Sequence, residues 1–204
     1  MQPSASSVVS STPPFKTKEP ETYQAVRSII FAPANAGQST ESTTTIAREG
    51  DKRREEENSR DRTVVYLDVP AGTFMMLPDE RIYAEVAGPA TSNSTVGEFE
   101  EVYVHTAPIQ STYENLGTET VNGTTTTKYK VTVNSASPGN VSESETLIWV
   151  DDTLGMPIKS VTRSPSGTRT MELKQITLKV DKTQFDIPRD YQKVEMQVLQ
   201  QRMR

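Results

Sequence analysis

The 204-residue chain contains no cysteine, which excludes disulfides, thiol nucleophiles and thiolate-bound zinc or iron–sulfur clusters. Reduced and oxidised compartments both hold cysteine-free proteins, so this absence does not fix the compartment. Histidine occurs once, at His105. A single imidazole is too few for a zinc ligand set, and a serine triad built on it would want a G-x-S-x-G elbow, which is missing. His105 therefore reads as a surface or partly packed residue. Long apolar runs are also absent: none approaches the roughly 18 residues of a membrane-spanning helix. Residues 1–20 have no apolar h-region and do not read as a signal peptide. Neither the phosphate-cradling G-x-x-x-x-G-K motif nor the dinucleotide fingerprint occurs. The acid pairs Glu100-Glu101 and Asp151-Asp152 lack the spacing of a calcium loop. The expectation is a non-enzymatic protein with no catalytic residue, no metal and no cofactor.

Leucine and alanine are scarce, at 8 and 12 residues, against 27 Thr, 19 Val and 9 Ile. Stiff β-branched side chains suit a pleated surface, so an all-helical bundle is excluded. Only 33% of residues are hydrophobic, which implies a thin core or chain lying outside it. The net charge of −5 argues against a dedicated nucleic-acid binder.

Along the chain, residues 1–22 are rich in Ser, Thr and Pro with only Val8, Val9 and Phe15 as anchors. They read as a disordered tether or simply an unstructured N-terminus. Residues 23–194 are expected to form one domain. Its strands are expected at 23–32, 39–48, 63–69, 73–77 and 81–86, with turns at Pro70-Ala71-Gly72 and Pro78-Asp79. Residues 88–97 read as a loop, and 99–109 fit a helical face and a strand about equally, with a short helical or irregular crossover favoured. In the second half, strands are expected at 113–121, 124–133, 145–150, 156–163 and 168–180. Asn122-Gly123 between β-rich runs predicts a type I′ hairpin, because both central residues need positive φ. Pro138-Gly139-Asn140, 151–155 and 164–167 supply the other turns. Residues 195–204 form a tail, helical if Tyr191, Val194 and Val198 mark one face.

Residues 48–62 carry 6 basic and 6 acidic side chains. Such cancellation disfavours an anion-binding patch and fits a solvated hairpin with cross-strand charge pairs, or else a docking surface. Glycosylation sequons begin at Asn93, Asn122 and Asn140, as Ser/Thr-rich chains produce by chance.

An ordered series of short segments carries a resemblance. TTIAREGDKRR (44–54) leads into TVVYLDVPAGTFMML (63–77) and PDERIYAE (78–85). LGTETVNGTTTTKYKVTV (116–133), LIWVDDTLGMP (147–157) and FDIPRDYQKV (185–194) follow. Together they resemble the bacterial envelope family related to LolA, LppX and LprG, including its branch known only as a domain of unknown function. The resemblance implies a mainly β (α+β) fold: a curved antiparallel sheet, a half-barrel, wrapped around one or more short helices. It implies a place in the periplasm or outer envelope of a bacterium, and a lipid or lipoprotein acyl chain as ligand. The chain departs from the pattern in having neither an export signal nor a cysteine for a lipid anchor.

A sheet of this kind needs its inner face covered, and incomplete cover leaves an apolar groove. The lining expected for such a groove is Leu67, Val69, Phe74, Met76, Ile82, Trp149 and Ile158; the alternative is that these residues fill a closed core. Two functions follow. One is a carrier or sensor of acyl chains, and the other a structural or protein-docking envelope module with no lipid ligand.

Overall fold

The computed structural model describes residues 7–10, 12–16, 19–59, 62–86, 111–137 and 140–203. The loop expected at 88–97, the segment 99–109, His105, the Asn93 sequon and the Pro138-Gly139 turn lie outside them. Strands dominate: β1 (Ser7–Ser10), β2 (Thr22–Pro33), β3 (Thr40–Glu49), β4 (Lys52–Ser59), β5 (Arg62–Val69), β6 (Gly72–Leu77) and β7 (Ile82–Glu85) in the first part. After them come β8 (Ser111–Val121), β9 (Thr124–Ser137), β10 (Asn140–Asp151), β11 (Pro157–Ser164), β12 (Gly167–Thr177) and β13 (Gln192–Lys193), then helix α1 (Met196–Arg202). Hydrogen-bonded order runs β1-β8-β9-β10-β11-β12-β2-β3-β4-β5-β6-β7-β13. The pairings described are antiparallel except that of β13 with β7. The strand order ends at β1 and β13 and does not close, so the mainly β class with a large antiparallel sheet expected from the sequence is the one observed.

Two compact units make up the chain. One comprises Met1–Glu19, Ile29–Glu41 and Asn93–Leu173, the other Pro20–Ser28, Ser42–Ser92 and Lys174–Arg204.

In the first unit, Asn122 and Gly123 have φ of 51° and 80° and join β8 to β9, as the hairpin signal required. Alternation then decides which side chains are buried. Tyr113, Val131, Ile148, Ile158, Met171 and Leu173 are each 2% exposed or less. The segment read as a tether enters this unit. β1 pairs with β8, and the Phe15 ring lies 6.0 Å from Tyr113 and 5.4 Å from Tyr129.

In the second unit, β5, β6 and β7 form the meander expected from their turns, and both of its faces are covered. One face carries Val65, Leu67, Phe74 and Met76, joined by Ala47 from β3 and closed by Phe185, with Val180, Ile187 and Tyr191 packed alongside. The opposite face carries Leu77 and Ala84 with Val64, Met75 and Ile82, closed by Leu199, Val194 and Met196. The C-terminal segment covers both because it crosses the sheet edge at β13. Gln192 N–H donates to Arg81 O and Val194 N–H to Tyr83 O, each at 2.8 Å. Residues before that crossing cover one face and residues after it the other. The tail is helical, yet its buried contact is Leu199 and not the anticipated Val198, which is 40% exposed.

The charge run does enter a hairpin, β3 with β4, but not a free-standing solvated one, because β4 lies between β3 and β5. Ion pairs run along the strand, Arg53 Nε to Glu55 at 2.7 Å and Arg54 to Glu56 at 2.6 Å. Cross-strand register sets Arg48 opposite Arg53, but also Glu49 opposite Lys52 and Arg53 opposite Asp68. Glu55 is buried and also pairs with buried Arg27 at 3.5 Å.

Candidate functional site

β-strand periodicity separates the residues expected to line a groove. Leu67, Phe74 and Met76 point to one face of the second unit and are buried there, with Val69 packed against them. Ile82 lies on the opposite face, in the cluster around Leu199. Ile158, in the first unit, is 2% exposed. Trp149, in the same unit, has a polar environment. Its indole N–H donates to Glu119 Oε2 at 3.0 Å, and Lys128 and Lys159 place ammonium groups 4.7 and 5.2 Å from its ring centroid. Both lysines are its register partners on the flanking strands. Hydrogen bonds from Trp149 and Lys128 hold the Glu119 carboxyl below its ordinary value.

The second unit does contain a groove, beside α1, with a volume of about 930 Å³. Its apolar lining is Met75, Val86, Val194 and Met196, all half-buried, and its polar lining is Glu85, Lys193, Glu195 and Gln200, all exposed. The elements that hold it are short and well anchored. Val86 N–H donates to Thr73 O at 2.8 Å, fixing the end of β7. Lys193 Nζ reaches Glu85 at 2.7 Å across the β7–β13 pair, and that hydrogen bond pushes the lysine's pKa up. The arrangement offers an oily floor with adaptable thioethers under a rim of charge. It offers no nucleophile–base pair, and among the described residues no group of three or more His, Cys, Asp or Glu is placed to hold a metal.

None of the seven residues expected from the sequence lines this groove. A parity argument would have found Met75, since it alternates with Phe74 and Met76 and must share a face with Ala84. Val194 and Met196 had no such signal, because their positions depend on β13 crossing the edge of β7.

The first unit has a smaller cavity of about 560 Å³, lined by Phe15, Thr127, Tyr129, Val150, Asp151 and Asp152 among others. Asp151 is held by its own turn, where its Oδ1 accepts from the Thr153 and Leu154 amides at 2.7 and 2.8 Å. Asp152 accepts from Thr127 Oγ1 at 2.7 Å.

No family model matches the chain, and no curated protein does either. Solved structures similar to it include LprF from Mycobacterium bovis, with 14% identity, coverage of 84% of this chain and 90% of that one, and a TM-score of 0.49. A LolA superfamily protein from Nitrosomonas europaea has 10% identity, 86% and 94% coverage and a TM-score of 0.39. MucB has 15% identity, 84% and 59% coverage and a TM-score of 0.47. All three TM-scores lie below 0.5. Among the described residues no helix is long and apolar enough to cross a membrane.

Proposed function

We propose that this protein is a non-enzymatic module of the bacterial cell envelope that holds the apolar chain of a lipid or lipoprotein in the groove beside α1. One observation carries the reading: a groove of about 930 Å³ whose floor is Met75, Val86, Val194 and Met196 and whose rim is charged. Ligand sites commonly measure about 300–1,000 Å³ and combine apolar walls with a few polar groups. Burying ten methylenes there gains roughly 8 kcal/mol before the costs of association. Methionine side chains re-pack around chains of different length at little cost. The polar rim leaves a headgroup in water. Placement in the envelope rests on the sequence resemblance.

The test is native mass spectrometry and organic extraction of the purified full chain. A co-purifying acyl-chain species, released by solvent and absent from a Val86→Trp variant, is the expected result. Protein free of lipid that also fails to take up added fatty acid contradicts the reading and leaves a structural or docking module in its place.

A further inference from the structure

In the first unit the N-terminal segment of the chain lies along the edge of β8. β1 adds to the edge of β8 in antiparallel register, with Ser7 opposite Glu114 and Ser10 opposite Ser111. Pro13 and Pro14, which lack amide hydrogens, cannot extend that ladder. The chain instead sets Phe15 into a notch between two tyrosines. Its ring lies 6.0 Å from Tyr113, nearly perpendicular at 84°, and 5.4 Å from Tyr129. Lys16 N–H then donates to Gly155 O at 2.8 Å. Strand addition for main-chain bonds, followed by a side-chain anchor in a pocket, is a general mode of peptide recognition.

The seat leaves space beside its occupant. Among the contacts of residues 12–16 are the Lys16 backbone hydrogen bond and the half-buried Phe15 ring, set against the ordering entropy of several residues. About 560 Å³ of cavity remains between the segment and Thr127, Tyr129, Val150 and Asp152. Lys16, Asp151 and Asp152 all line this cavity, so a basic residue following the aromatic one sits on an acidic wall.

We propose that the edge of β8 and the Tyr113–Tyr129 notch form a peptide-docking surface, occupied in cis by residues 7–16. In trans it accepts an extended partner segment of the same chemistry: a short strand, a proline pair, an aromatic anchor and a basic residue. A tethered occupant competes at an effective concentration on the order of millimolar, so the intact chain is largely closed to such partners. Removing the anchor of the cis segment opens it. This surface lies within the first unit and does not depend on the acyl-chain reading.

The test uses the full chain and a fluorescein-labelled peptide of residues 5–18, followed by anisotropy. The Phe15→Ala chain is expected to bind the peptide at least about tenfold more tightly than the unaltered chain. The same peptide with its own phenylalanine replaced by alanine should lose that gain. Equal binding to both chains, or equal binding of both peptides, overturns the proposal. Because Phe15→Ala also removes packing, a second experiment inserts a protease site between residues 18 and 19 of the unaltered chain. After cleavage, native mass spectrometry should show the severed segment exchanging for the labelled peptide. Loss of the segment with no uptake of peptide overturns the proposal as well.

Discussion

The Trp149 indole N–H donates to Glu119 Oε2 at 3.0 Å, linking the one tryptophan of the chain to an ionised carboxylate across |i−j| of 30. Trp149 emission is therefore a reporter of Glu119. The carboxyl is held below its ordinary value of 4.5 by the Trp149 and Lys128 hydrogen bonds. A group depressed in the folded state adds stability above its unfolded value and loses it as pH falls through the folded one. An acid titration should show an emission transition with a midpoint below 4.5, and Glu119→Gln should abolish it. A midpoint at or above 4.5 in the folded protein contradicts the assignment.

Arg27 and Glu55 form an ion pair with both side chains 3% exposed, and Arg53 adds a second contact to Glu55 at 2.7 Å. Removing one partner leaves a buried charge poorly compensated. Arg27→Met or Glu55→Leu alone should cost about 3–5 kcal/mol, whereas the double variant should cost less than the sum of the singles. Urea denaturation of the four proteins measures this. Single variants within about 1 kcal/mol of the parent would mean that solvent reaches the pair.

Gly167 has φ of +152°, and a Cβ there would fall on Ala32 O and within 2.9 Å of Pro33 Cα. Gly123, at φ +80°, faces open space. Gly167→Ala should therefore cost about 1–3 kcal/mol from backbone collision, and Gly123→Ala about 1 kcal/mol from the φ alone. Urea midpoints rank the two, and equal midpoints contradict the close approach of β12 to β2.

Turn chemistry made most strands legible. Pro70-Ala71-Gly72 and Asn122-Gly123 sit where the chain reverses, and the β-branched or apolar runs beside them are β5, β6, β8 and β9. What the residues concealed was non-local. β4 is written almost wholly in charge, KRREEENS, because Glu55 is compensated by Arg27, distant in sequence by |i−j| of 28, and by Arg53 on its own strand. The residues expected to line a groove lie apart for a related reason. Leu67, Val69, Phe74 and Met76 share one face of their strands, but Ile82 lies on the other face and Trp149 and Ile158 belong to the first unit. The far wall of the groove beside α1 comes from Val194 and Met196, which reach that face only after the parallel β13 pairing, an event with no local signature.

Core and groove should respond differently to truncation. Leu67 is fully buried among Val65, Phe74 and Met76. Leu67→Ala should cost about 2–5 kcal/mol, and Val86→Ser, at a half-buried groove position, less than about 1.5 kcal/mol. Chemical denaturation separates them, and equal losses would place Val86 in the core.

The central claim is that the groove lined by Met75, Val86, Val194 and Met196 accepts an apolar chain, and an environment-sensitive naphthylamine dye tests it directly. Titrated into the delipidated full chain, the dye should bind, be displaced by a long-chain fatty acid, and lose at least about tenfold in affinity in Val86→Trp with the urea midpoint unchanged. Absence of binding to the unaltered chain, or undiminished binding to the filled groove, would contradict the account.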